Sequence, residues 1–380
     1  MPETATPPPP KEFLQRIESL RGLAALSVAF HHSFLFFQMQ SLAETVNRGI
    51  VQVIFYGHGA VLCFFVLSGF VLGQSLRRLN PSSMSAFAMF YSRRFFRIIP
   101  AFAASLIFCG TLLFLLSGWK ATNPAATVYY FHMYDFTPSL AIFISNLFFN
   151  EATLNNVTWS LFPELVGSLI LPLLYIGSKW VPVRVLLLFG LLALQYFTQS
   201  AKSEFTASLQ YMWMFYAGYL ITDLPKGFVL YLKDNAKVTR VLLALSALVC
   251  LATPHFGHHP IPYVTAIVFV VAVIYYLPQE RFFALLDNRL IAFYGRISYS
   301  FYLLHFPVVY CAASLALNFL KPESAASWAF LISCILALVS IGIATPLALL
   351  SYHYIEQPFI KLGKYLHPSL RADDELKLTR

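Results

Sequence analysis

The sequence predicts an all-α fold, a polytopic membrane helix bundle of about ten transmembrane helices with both termini in the cytoplasm. Three observations carry this. Of the 380 residues, 58% are hydrophobic and 11% charged, less than half the roughly 25% charged share of a soluble globular chain. Apolar stretches of spanning length, roughly 17–25 residues, recur along the chain. All but four of the 26 Lys and Arg fall in alternate loops. A surface so poor in charge excludes a soluble enzyme or a soluble nucleic-acid-binding domain. The net charge of +9 therefore matters through its placement rather than its sum.

Residues 1–15 begin MPETATPPPP, a proline-rich stretch that cannot build a core and is expected to be a disordered tail. The first apolar stretch, 20–40, is too long for a cleavable signal and reads as a retained anchor. Nine further spans fall near 52–76, 98–118, 158–178, 183–198, 205–222, 240–254, 262–278, 297–318 and 327–352. The fifth and seventh spans are short. Segment 139–149 is apolar but shorter still, and reads as interfacial or re-entrant. The membrane domain is taken as 16–360, with 361–380 a charged cytoplasmic tail. No internal repeat and no attached soluble domain is expected. With an even number of spans, only Arg48, Lys120, Lys202 and Lys321 face the side opposite the termini, so the positive-inside rule places both termini in the cytoplasm. The five cysteines are scattered through apolar segments, a spacing that indicates neither a disulfide framework nor a zinc site.

The first span carries an intramembrane pair. Arg21 and His32 lie eleven residues apart in RIESLRGLAALSVAFHHS (16–33). At ~100° per residue that is three turns plus ~20°, so both project from one face, ~16 Å apart along the axis. An ionisable group at the depth of His32 normally faces a bundle interior or a wet cavity. Glu18 precedes Arg21 by three residues and can pair with it, whereas His31 points ~100° away and reads as structural. Residue chemistry alone leaves two alternatives open for His32. One is a functional group; the other is a histidine hydrogen-bonded between helices, with Arg21 snorkelling to the interface.

The Arg21–His32 spacing within LRGLAALSVAFHH resembles the signature of the acyltransferase-3 family of membrane acyltransferases. Five further phrases resemble the family in its order: FFVLSGFVL (64–72), RRFFRIIP (93–100), TWSLFPE (158–164), ISYSFYLLHFP (297–307) and HYIEQPF (353–359). Each alone is a weak apolar phrase, but six in series are specific. The resemblance implies a multi-pass O-acyltransferase of a bacterial cell inner membrane, in the stand-alone form without a fused esterase-like domain. It implies transfer of an acyl group, commonly acetyl, from cytoplasmic acyl-CoA to a hydroxyl of a cell-surface or exported carbohydrate. Acyl-CoA is then a co-substrate and no cofactor is permanently bound. The implied partners are acyl-CoA, a carbohydrate acceptor and membrane lipids, with no nucleic acid. Pro163 departs from the family's pattern and puts the start of its helix in question.

Site roles follow from the resemblance. His32 is expected to act as general base, with Arg21 lining the channel. Glu164, about six residues into its span from the outer side, is expected to meet His32 and orient it; pairing with Arg48 or capping at Pro163 are its alternatives. Arg94 and Arg97 share a helix face and suit the phosphates of CoA, with Glu18 on the same donor side. Contact with lipid phosphates is the competing reading. For His305, intramembrane in the ninth span, substrate contact and a plain interhelical hydrogen bond both stand. Glu356 is expected to pair with Lys361 or Lys364. His255, His258 and His259 form HxxHH, but no carboxylate is near and Pro260 ends any helix, so no metal is expected. The rival class is a secondary transporter or flippase for a lipid-linked sugar, which ten spans and intramembrane charges also suit. A sensor or scaffold explains the topology but not the motif series.

Overall fold

The computed structural model describes residues 11–79, 84–116, 120–198, 203–255 and 260–366. The proline-rich residues 1–10, Lys202, His258, His259 and residues 367–380 lie outside the described residues, as does the side chain of His255. Among the described residues there is no strand, and one isolated antiparallel bridge joins Phe37 to Ala126. The protein is an all-α polytopic helix bundle, integral to a membrane.

Helix α1 runs Lys11–Ser33, so both ends of the expected first span move back, and residues 11–15 are helical rather than tail. The residues after Ser33 misled the sequence reading because they are apolar without being helical. Phe34, Phe36 and Phe37 are buried, yet the Gln38 and Thr127 N–H groups bond across to Ala125 and Phe36 carbonyls. A short amphipathic helix follows, α2 (Leu42–Ile54), opened by a capping box at Ser41 and Glu44. Then come α3 (Gly57–Leu79) and α4 (Met84–Leu115). The loop beyond holds two short helices, α5 (Val128–His132) and α6 (Leu140–Leu147). At eight residues, α6 is too short to cross a bilayer.

A 3₁₀ turn, Asn156–Ser160, leads into α7 (Leu161–Gly177). Pro163 is the third residue of α7, where its missing N–H would have had no partner in any case. The proline therefore starts this helix instead of breaking it, and Glu164 lies in the first turn. Next are α8 (Val181–Thr198), the broken pair α9 (Glu204–Leu209) and α10 (Met212–Leu220), then α11 (Lys226–Asp234), α12 (Ala236–Ala252) and α13 (Pro260–Tyr276). The chain closes with α14 (Arg289–Phe319), α15 (Pro322–Ser327), α16 (Ala329–Ser351) and α17 (Gln357–Tyr365). Helix α17 crosses the expected domain boundary at 360.

All ten expected spans contain helix. Six stretches of the described residues are long and apolar enough to cross a membrane, or eight if the bent pairs α11–α12 (99°) and α13 with 281–287 (92°) each count as one. Helix α1 falls outside that set because Lys11, Glu12, Arg16, Glu18 and Arg21 crowd its first half. The α9–α10 pair, interrupted at Gln210 and Tyr211, is also outside that set.

Glycines set the closest helix crossings. A Cβ on Gly22 of α1 would lie 2.6 Å from the Gly295 nitrogen of α14, and one on Gly295 would strike the Glu18 carbonyl. The two backbones therefore touch, the close approach that small residues permit between membrane helices. Gly69 of α3 and Gly218 of α10 meet in the same way, against Phe215 and Val66 carbonyls. Helix α14, buried along most of its length, packs against α1, α16 and α4 and forms the axis of the bundle.

Candidate active site

The α1–α14 contact brings two histidines together. His32 Nδ1 lies 2.9 Å from His305 Nε2, and the rings are nearly parallel, with centroids 5.2 Å apart. His305 is fully buried, and its Nδ1 lies 2.7 Å from the Tyr302 carbonyl oxygen. That carbonyl can only accept, so His305 Nδ1 carries the hydrogen. Neutral His305 then presents a lone pair at Nε2, and His32 must donate from Nδ1. The chain of bonds therefore fixes the His32 tautomer and leaves its Nε2 with a free lone pair. The imidazole partner of His32 is thus His305, not Glu164.

Pro307 supports this arrangement. Inside α14 it has no N–H for the Leu303 carbonyl four residues back, and Asn155 Nδ2 fills the vacancy at 2.8 Å. The loop before α7 is thereby pinned to α14 beside the histidines. Tyr302 strengthens the joint: its hydroxyl donates to the Val157 carbonyl (3.0 Å) and lies 2.9 Å from Ser160 Oγ.

About three turns down α1, a second group gathers around Arg21. Glu164 is ion-paired with Arg94 at 2.8 Å and accepts from Ser68 Oγ at 3.2 Å. Arg94 Nε also donates to Ser168 Oγ at 3.1 Å. Arg21 lies within electrostatic range of Arg97, Glu164, Glu356 and Arg94, and its Nε has no hydrogen-bond partner among the described residues. Glu356 is 3% exposed and accepts from Ser300 Oγ at 2.8 Å. It faces Arg97 and Arg21 rather than Lys361 or Lys364. Three arginines and two carboxylates thus share one buried region, with an excess of one positive charge.

Several expected contacts differ. Glu164 pairs with Arg94, not with Arg48 or His32, because its first-turn position on α7 aims it at α4. That pairing occupies the guanidinium fork of Arg94 and leaves Arg97 and Arg21 as the two arginines of this cluster without an ion pair among the described residues. Glu18 is exposed and makes no ion pair with Arg21; its nearest cations also include Arg296 and Arg97. The ring of His31 packs over Gly57, where an added Cβ would meet it at 2.7 Å.

The sequence reading missed Glu356 as a member of this cluster. Its signal was local: an acidic residue two positions before Pro358, directly after a long apolar helix. The structure gives the physical reason, a π-helical turn over Tyr352–Glu356. The extra residue of that turn rotates Glu356 inward, a device often found at functional sites.

The acyltransferase-3 model, an acyltransferase domain, matches residues 14–347. Acyltransferase MdmB of Streptomyces mycarofaciens is 27% identical over 412 residues, which cover 98% of this chain and 100% of that protein. No solved structure matches the chain. The matched region takes in both histidines and every member of the arginine cluster except Glu356, and the chain belongs to the acyltransferase-3 family of membrane acyltransferases.

Proposed function

We propose that the chain moves an acyl group, acetyl by default, from cytoplasmic acyl-CoA to a hydroxyl of a cell-surface or exported carbohydrate, with His32 as general base. The observation that carries this reading is the chain Tyr302 carbonyl–His305–His32, which holds a basic nitrogen, Nε2 of His32, in a single tautomer. The acceptor O–H gives its proton to Nε2 as its oxygen attacks the thioester carbonyl. The carbon–sulfur bond then breaks, and the proton passes from Nε2 to the departing CoA sulfur. While His32 is charged, His305 Nε2 accepts from its Nδ1–H and stabilises the imidazolium.

The donor would lie along α1. Arg97 and Arg21 take its phosphates at the arginine end, while Glu164 and Ser168 hold Arg94 in position beside them. A pantetheine arm of roughly 15–20 Å by bond lengths matches the ~16 Å from Arg21 to His32. Holding both substrates in one channel supplies the entropic part of the rate. On this reading the protein sits in a cell inner membrane with both termini in the cytoplasm, in keeping with the bias of its basic residues.

The test is free CoA released from acetyl-CoA by purified protein with a panel of cell-surface glycans, wild type against His32→Ala. Acceptor-stimulated release that His32→Ala abolishes is expected. Stimulated release that survives the substitution removes His32 from the mechanism.

A further inference from the structure

Toward the Phe319 end of α14, away from the arginines, lies a cavity of about 420 Å³ whose lining includes Lys120, Tyr134, Asp135, Phe136, Tyr310 and Ser314. Its size is within the roughly 300–1,000 Å³ of small-molecule sites. Tyr134 is anomalous in two respects. Its φ is 53°, a left-handed conformation that a bulky residue keeps only where its surroundings impose it, as at ligand clamps. Its hydroxyl is buried and has no hydrogen-bond partner among the described residues, although buried hydroxyls are nearly always satisfied.

Aromatic contacts link the lining of the cavity to the histidine pair. Tyr134 stands edge-on to Tyr310 with centroids 4.6 Å apart and is 6.4 Å from Phe306. Phe306 is in turn edge-on to the His32 ring at 5.0 Å. A single phenylalanine therefore stands between Tyr134 and His32. On the open side, Lys120 Nζ donates to the Phe131 carbonyl at 2.6 Å and lies 3.4 Å from Asp135 Oδ1. The Asp135 side chain remains 80% exposed. Aromatic faces, an unsatisfied hydroxyl, a carboxylate and an ammonium together offer a ring with apolar faces and several hydroxyls what it needs: stacking surface, donors and acceptors.

We propose that this cavity is the acceptor subsite and holds one sugar-sized, hydroxyl-rich ring. The apolar face of that ring lies against one of the two nearly perpendicular rings of Tyr134 and Tyr310, and its hydroxyls meet Tyr134 Oη, Asp135 and Lys120. One hydroxyl is directed past Phe306 toward Nε2 of His32. That the bound ring is an acyl acceptor rests on the reaction proposed above; that the cavity binds such a ring does not.

Cys311 lines the same cavity and serves as a native reporter. Full-length protein in detergent is treated with a small methanethiosulfonate, with and without methyl glucoside, methyl mannoside and methyl galactoside. Modification of Cys311 is read by peptide mass spectrometry, with Cys334 as the internal control. At least one hexoside is expected to slow Cys311 modification threefold or more while leaving Cys334 unchanged. Tyr134→Phe and Asp135→Asn should each abolish that protection. Inert Cys311, equal rates with every hexoside, or protection retained in both variants overturns the proposal. Protection without CoA release from any acyl-CoA keeps the cavity and removes the acyl-transfer reading. Sugar-stimulated CoA release whose KM for the sugar is unchanged in Tyr134→Phe keeps that reading and removes the subsite.

Discussion

Replacing His305 by alanine removes the acceptor of the His32 Nδ1–H bond, at 2.9 Å, and frees His32 to exchange tautomers. In the ground state that bond joins two neutral rings, but when His32 takes the acceptor's proton it becomes a bond to an imidazolium. A hydrogen bond to a charged group contributes about 1.5–3 kcal/mol. Lost from the transition state alone, at about 1.4 kcal/mol per decade, it lowers kcat by roughly ten- to 150-fold. The assay is the initial rate of CoA release at saturating acetyl-CoA and acceptor, with a thermal melt to check folding, since His305 is fully buried. His305→Gln is the informative companion. Its amide oxygen can accept from His32 Nδ1–H and hold the same tautomer, but it cannot carry a proton. If His305 is a positioning residue, His305→Gln stays within about tenfold of wild type while alanine does not. Unchanged kcat in His305→Ala would refute the reasoning. So would a change confined to KM, which would make His305 a substrate contact, as one reading of its family phrase had it.

Three further outcomes follow from the packing and the charges. Gly295→Ala drives a Cβ into the Glu18 carbonyl and separates α1 from α14; it should lower stability by about 1–3 kcal/mol and lower kcat. Gly110→Ala, where a Cβ meets nothing within 4 Å, should instead be neutral or gain about 0.5–1 kcal/mol; melting temperatures of the two variants decide this. Arg94→Met or Glu164→Met alone strands a largely buried charge and should cost about 3–5 kcal/mol, whereas the double replacement should recover much of it, a pattern a double-mutant cycle on unfolding would show. Arg97→Gln, which removes a charged hydrogen bond to a donor phosphate of about 1.5–3 kcal/mol, should raise the KM for acyl-CoA by roughly ten- to 150-fold, and Glu356→Gln should lower it by up to about fifteenfold, for one charge at about 10 Å and an effective dielectric of about 20. Shifts of the same sign would mean the cluster does not read the donor's charge.

The fold class was legible because membrane burial is written in composition: an apolar segment of spanning length has few other uses. The Arg21–His32 alignment was legible because it depends only on the pitch of one helix, and α1 is continuous through both residues. Contacts between helices were not. Nothing in the spacing of TWSLFPE says that Glu164 turns to Arg94, since this depends on α7 beginning at Leu161 and on the rotation of α4. The His32–His305 bond joins positions 273 residues apart. Its nearest local sign was a glycine in each helix, Gly22 and Gly295, which acquires meaning only once the two are known to cross. Glu356 escaped for a related reason: the expected span ended at 352, whereas the helix continues through a π-helical turn over Tyr352–Glu356 into α17, and the apolar pattern does not foretell such a turn.

The same contacts bear on whether the intramembrane charges serve chemistry or transport. Alternating access moves one bundle of helices against another around a fixed site, commonly at helices broken near the midplane. Here the residues that would have to separate are joined backbone to backbone. Helices α1 and α14 touch at Gly22 and Gly295, α3 and α10 touch at Gly69 and Gly218, and Asn155 ties the loop before α7 to α14. Rocking α1 away from α14 would break the His32–His305 bond and the crossing together. A joint of this kind is unsuited to a moving gate but suited to holding two imidazoles within hydrogen-bond distance in a single tautomer. Fixed geometry is the requirement of general-base catalysis. On the proposed reading, the approaches to the histidines, from Arg21 on one side and Tyr134 on the other, have only to admit two substrates, without the bundle itself opening.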